Sequence, residues 1–304
     1  MDLSPRFSTL PWELVECIIK AAANDWCITQ PGMLARLCPL SRAMRKLCTP
    51  LLYSTVAVHG LLSVQLFFRT VESFPDGFLA RHLTATSLSF HEGESWTPVG
   101  STLATFASML AIVSYAQAPV DLFDYVLDTD AWSTRAAPLR GMSMSLLPPT
   151  RSLRMTPHDY IRVLLNLLTK AQAKRIHIGG SYRLFRMVLL SISTMDTTDK
   201  PAQLTHIACD VTDARVWSHV TTKFAVTNVM AWPGFECMVL RIGKTDGHTS
   251  QLLELLKSME DPRIHVHYVP DDEVQSSIQR RHMAGIDDLW LSGEPVYVPP
   301  NRDA

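Results

Sequence analysis

Apolar residues near the start of the chain recur at helical spacing. Leu14 and Ile18 are four apart, as are Val15 and Ile19, and together they form a wide apolar stripe. Thr9 stands where it can cap this helix, and Pro11 fits the first turn, where a missing N–H costs nothing. Glu13 and Glu16 suit the positive N-terminal end. Gln30-Pro31-Gly32 predicts a break, followed by helices over Met33–Leu40 and Ser41–Cys48. Leu37, Leu40, Met44 and Leu47 recur at spacings of three and four, with Arg42, Arg45 and Lys46 mostly off that stripe. Pro50 is expected to end the last helix before a strand over Ser54–Val58.

Beyond Tyr53 the pattern alternates between the helical and the extended period. Helices are predicted over Leu61–Phe74 and Ser101–Ala116, and around Leu164, Leu189, Trp217, Leu255 and Ile278. The helix carrying Leu164 and Leu168 opens at Thr156-Pro157, and Asp213 caps the one carrying Val216, Trp217, Val220 and Phe224. Strands are predicted over Leu83–Phe90, Gly141–Leu146, Lys174–Ile178, Leu204–Val211, Glu236–Ile242 and Arg263–Val269. From Ser145 onward the strand centres lie about 27 to 32 residues apart. One strand and one helix per repeat of that length predicts a β/α solenoid, a degenerate array like that of leucine-rich repeats. A doubly wound α/β sheet gives the same alternation and stands as the alternative. Val120–Leu139, with Trp132 and Pro138, fits the repeat worst and reads as an insertion or an eroded repeat.

Alternation also divides each strand into two faces. Ile176 and Ile178, Ile207 and Cys209, Leu240 and Ile242, and Ile264 and Val266 point to the core. That leaves Arg175, His177, His206, Asp210, Arg241, His265 and His267 on a polar, histidine-rich surface column. These seven are the candidate partner-recognition face, with an ordinary solvated sheet face as the plainer reading. Trp290 is expected to seal the open end of the array.

Composition narrows the classes. The chain has 304 residues, 47% apolar and 19% charged, a net charge of −1 and a mean hydropathy of +0.07, which excludes a disordered tail protein. Length suggests about two domains, able to bury about three quarters of the unfolded surface without disulfides or metal. The balanced charge argues against nucleic acid as a partner. Ser95–Val120 carries no charge, but its apolar core, Leu103–Val113, is far short of a membrane span, and Pro98, Gly100 and Pro119 interrupt it. Six cysteines form no C-x-x-C pair and read as buried thiols of a reducing compartment, cytoplasm or nucleus. No signal-peptide pattern stands in Met1–Leu10. His265 and His267, with His206 as a third ligand, form a weak zinc pattern, and Asp128-Thr129-Asp130 reads as a turn. Arg280-Arg281-His282 reads as a solvated helix end. No phosphate loop, nucleophile elbow or H-E-x-x-H run is present, and no cofactor or metal is expected.

The N-terminal residues resemble the F-box, most closely that of fungal F-box proteins. The family's opening stands here as Leu10-Pro11-x-Glu13-Leu14-x-x-x-Ile18. Its later stretch stands as Leu37, Ser41-Arg42, Arg45, Leu47 and Pro50-Leu51-Leu52-Tyr53. The chain departs from the pattern at Pro39 and in a longer linker, Asn24–Gly32. The resemblance implies a three-helix F-box over residues 1–55, with a substrate-selecting region over 56–304. It implies a Skp-type adaptor as partner and, through it, a cullin ubiquitin ligase, with no catalysis by the chain itself. The adaptor surface expected from it is Leu10, Pro11, Leu14, Ile18, Leu37, Leu40 and Leu47. A non-catalytic interaction scaffold, in which the same helices only cap the array, is the alternative.

Overall fold

A computed structural model describes residues 11–74, 77–89, 100–127, 143–147, 159, 162–164, 166, 173–179, 203–211, 219–242, 247–269, 290 and 293–299. The chain is mixed α/β. Three helices come first: α1 (Trp12–Thr29), α2 (Pro31–Leu37) and α3 (Arg42–Ser54). Pro11 is the N-cap of α1, not its first helical residue, and its side chain offers no cap; Thr9 lies outside the described residues. α1 stops at Gln30 because a residue before proline avoids the helical region, and Pro31 then opens α2. α2 ends at Leu37, short of the expected Leu40, where Pro39 supplies no N–H to continue it.

Ser41 caps α3, its hydroxyl accepting from the Met44 N–H at 3.0 Å. Pro50 does not end this helix, contrary to expectation; α3 runs through it to Ser54. Residues on both sides of Pro50 share one cluster. Leu47, Cys48, Leu51 and Leu52 pack with Ala23 of α1 and Leu34 of α2. Burial of that stripe outweighs the one backbone bond that the proline forfeits.

The sheet begins at the next residue. Its strands are β1 (Thr55–His59), β2 (Ala85–Ser89), β3 (Tyr115–Pro119), β4 (Ser143–Leu147), β5 (Arg175–Ile178), β6 (His206–Val211), β7 (Cys237–Ile242), β8 (Ile264–Tyr268) and β9 (Glu294–Pro295). They are hydrogen-bonded in chain order; β1 to β8 are parallel, and β9 is antiparallel to β8. A doubly wound sheet reverses its strand order at a switch point, and this order contains no reversal. Between strands lie α4 (Leu61–Ser73), α5 (Phe78–His82), α6 (Gly100–Leu110), α7 (Val120–Leu127), α8 (His219–Met230) and α9 (Gly247–Lys257). Asp159, Arg162–Leu164 and Asn166 are also helical.

One core holds this part together. It joins Leu88, Ala116, Met144, Ile176, Ile207, Leu240 and Ile264 from the strands to Phe68, Phe106, Phe123, Val163, Val226 and Leu252 from the helices. The helices thus pack on one face of the sheet, as right-handed crossovers between strands in unbroken order place them. Phe74 stacks on Phe78 at 4.4 Å, and Tyr53 meets Phe74 edge-on at 5.1 Å, tying α3 to this array. Backbone bonds just before the strands repeat along it: Thr84 N–H to Ser54 O, Ser114 N–H to Thr84 O, and Thr205 N–H to Lys174 O.

Three further expectations change. The helix expected over Ser101–Ala116 ends at Leu110, and Tyr115–Pro119 is an unforeseen strand. Val120–Leu127 is a helix with buried Leu122, Phe123 and Val126, so this part of the ill-fitting segment is an ordinary strand-to-strand connection. In α8, Phe224 is exposed and the buried side is Thr222, Ala225, Val226, Val229 and Met230. The elements expected around Leu189 and Ile278, the Asp213 cap, Asp128–Asp130 and Arg280–His282 lie outside the described residues. Among the described residues no helix is long and apolar enough to cross a membrane.

Candidate functional site

The sheet face opposite the helices carries the predicted column. Parallel register places Gln117, Ser145, His177 and Ala208 side by side, and Asp210 beside Arg241. Residues two apart share a face, so Asp210 lies diagonally across from His177. A chain of hydrogen bonds follows. The Tyr115 hydroxyl donates to Gln117 Oε1 at 2.9 Å, and Tyr115 is also bonded to Ser145. Ser145 Oγ and His177 Nδ1 share a bond of 2.8 Å. His177 Nε2 and Asp210 Oδ1 are 3.1 Å apart, and Arg241 Nη1 donates to the same oxygen at 2.9 Å.

This row is interior. Tyr115, Gln117, Ser145, His177, Asp210 and Arg241 are each 8% exposed or less. The expectation of a solvated column is therefore corrected for His177, His206, Asp210 and Arg241, which are buried; Arg175, His265 and His267 are half-buried. Alternation identifies the side on which a residue lies, not what covers it. Burial pushes the Tyr115 phenol well up and outweighs its bond with Ser145. Hydroxyl, imidazole and carboxylate stand in sequence at Ser145, His177 and Asp210. Arg241 shares the carboxylate and balances its charge inside the protein, so the row reads as a structural network, in which Gln117 Nε2 and Arg241 Nε alone of its buried side-chain atoms go without a hydrogen bond.

Beside the row lies a small apolar cluster. Ala208, Cys237 and Val239 share one face of β6 and β7, and Trp290 packs on them. Its ring meets His206 edge-on at 6.5 Å, while His206 Nδ1 bonds Thr205 Oγ1 at 2.7 Å and Nε2 lies 3.9 Å from Glu236. Burial, with Glu236 nearby, pushes the Cys237 thiol up to about 11, so it stays neutral. Trp290 thus sits on the strand face at β6 and β7; the end of the array is edged instead by β9. No side chains converge as a metal-binding group of three among the described residues, so His206, His265 and His267 are not brought together as ligands.

The expected adaptor residues divide into two sets. Leu14, Ile18 and Leu40 are 51%, 59% and 70% exposed, and Pro11 is exposed as well. Leu37 and Leu47 are half-buried and pack against the cluster of Ala23, Leu34 and Cys48. Their helical spacing matched the stripe, but the stripe is wide enough to serve two faces. Leu10 lies outside the described residues. Met33 is exposed on α2 as well, and its spacing of four from Leu37 is the signal that marks it.

Comparisons with protein-family models, curated proteins and solved structures find no match.

Proposed function

We propose that the chain is a substrate-recognition subunit of a Skp-cullin-F-box type ubiquitin ligase. Residues 1–55 are read as an F-box that docks a Skp-type adaptor, and residues 56–304 as a leucine-rich-repeat-like solenoid that binds a protein substrate. The chain itself performs no covalent chemistry in this reading, and proximity within the complex does the work. The setting is the cytoplasm or nucleus.

The observation that carries the reading is the exposure of Leu14 and Ile18 on α1 and of Leu40 in the turn between α2 and α3, on a module whose own core is already closed by Ala23, Leu34 and Cys48. Exposed apolar side chains grouped on a small module mark a protein interface. The alternative scaffold, with the helices capping the array, draws support from the Tyr53, Phe74 and Phe78 rings that join α3 to the repeats. That contact leaves the Leu14 and Ile18 side of α1 unused, which favours the ligase reading.

Co-purification of the full chain with its host's Skp-type adaptor tests it, with Leu14→Arg as control. The expected result is a stoichiometric complex for the wild type and none for the variant. Leu14 is half exposed in the free chain, so arginine there leaves folding intact and buries an unpaired charge only in the complex. Undiminished binding by a folded Leu14→Arg, or no complex with the wild type, refutes the assignment.

A further inference from the structure

The chain balances 28 basic against 29 acidic residues, but not evenly along its length. From Trp26 to Val71 there is no aspartate or glutamate, while Arg36, Arg42, Arg45, Lys46 and Arg69 fall in that stretch. The first four belong to the N-terminal module, and all four are exposed. Among the described residues no carboxylate pairs with any of them, whereas Lys20 on α1 meets Glu16 at 2.8 Å.

α3 sorts three of these cations onto one side. At about 100° per residue, Arg42, Arg45 and Lys46 span an arc of about 100°, turned away from the buried Met44 and Cys48. They stand near the N-terminal end of α3, where the helix dipole disfavours positive charge and no acidic residue offsets it. The placement lowers the stability of the free chain, and a local rule broken without compensation inside the molecule points to a use outside it. Leu40, 70% exposed, stands two residues before Arg42 in the turn that leads into this face, and Met33 is exposed on α2. The basic face therefore continues the apolar surface proposed above as the adaptor site. With a net charge of −1 the whole chain exerts little field at a distance, so attraction over range has to come from a local patch.

We infer that the adaptor presents an acidic surface to Arg36, Arg42, Arg45 and Lys46, and that this charge contact steers its docking onto the exposed leucines. The cations set the rate at which the complex forms, and the apolar contact holds it once formed. The inference rests on the ligase reading proposed above and adds to it the charge of the partner's facing surface.

Biolayer interferometry of the full chain with its host's Skp-type adaptor tests this, at about 50 mM and about 500 mM salt, where exposed charges are weakly and strongly screened. Wild type is compared with Arg42→Glu/Arg45→Glu and with Arg69→Glu/Lys174→Glu. The second variant makes the same change in net charge at exposed positions off this face. At low salt, association of Arg42→Glu/Arg45→Glu is expected to be at least about tenfold slower than that of the wild type, with dissociation within about threefold. Arg69→Glu/Lys174→Glu is expected to associate within about threefold of the wild type. High salt slows the wild type toward the first variant. Glutamate suits the first turn of α3, so the melting temperature of Arg42→Glu/Arg45→Glu should not fall. If it does fall, Arg42→Gln/Arg45→Gln takes its place, with association at least about threefold slower expected. Equal slowing by the two charge-reversed variants, a wild-type rate indifferent to salt, or an effect confined to dissociation overturns the inference. The ligase reading survives those outcomes, because the complex still forms. No complex with the wild type at either salt concentration overturns both.

Discussion

Asp210 is the place where the buried row is most exposed to test. Its Oδ1 accepts from Arg241 Nη1 at 2.9 Å and from His177 Nε2 at 3.1 Å, in an interior site. Arg241→Met keeps a long side chain and removes the guanidinium. The carboxylate then stays buried beside the His177 imidazole without the guanidinium that balanced it. Breaking a buried pair in this way costs about 3–5 kcal/mol, against about 5–15 kcal/mol for the stability of a whole domain. Removing both partners in Asp210→Asn/Arg241→Met restores much of it, since no charge is then stranded. Urea unfolding of the wild type, both single variants and the double variant gives the coupling, expected at about 2 kcal/mol or more. A loss under about 1 kcal/mol, or single effects that simply add, refutes the reading of the row as a charge-balanced network.

Gly293→Ala places a Cβ against Val266 O at a positive φ, and the strain should cost about 1–3 kcal/mol locally; faster amide exchange at Val296, with β7 unchanged, checks it. Asp261 accepts from Arg263 Nη2 at 2.6 Å and Nε at 2.9 Å, and these side-chain bonds hold its carboxyl below the usual range. Its contribution is present above the unfolded value, near pH 4, and is lost as pH falls through the folded one. The stability gap between wild type and Asp261→Asn should therefore narrow on acidification below about pH 4, measured by urea unfolding at stepped pH. Leu37→Ala removes core contacts and should lower stability by about 2 kcal/mol or more. Leu40→Ala should leave the melting temperature unchanged and weaken only adaptor capture.

The parallel strands were legible because their sequences alternate cleanly. Arg175-Ile176-His177-Ile178 and Ile264-His265-Val266-His267 each assign a face without ambiguity, and the structure places their isoleucines and valine in the core. β3 was not legible, since Tyr-Ala-Gln-Ala-Pro carries alanines where a strand signal would need branched residues. A subtler mark was available: Ser54, Thr84 and Ser114 stand thirty residues apart, each just before a strand. The face of α8 misled because Val220, Phe224, Ala225, Val226, Val229 and Met230 lie nearly all round it, so periodicity chose no side. The site divides in the same way. Period two correctly placed His177, Asp210 and Arg241 opposite the helices, but burial depends on distant chain, as with Trp290, some fifty residues beyond Val239.

Burial changes which part of the strand face can recognise anything. A partner reaching for His177 or Arg241 directly would break bonds already made, and each buried group left unpaired costs about 1–3 kcal/mol. New bonds would at best replace the old ones. The N-terminal helices follow the same logic from the opposite side, since Leu14, Ile18 and Leu40 are open and can be buried without displacing anything. Adaptor capture should therefore be constitutive, with no rearrangement of the chain.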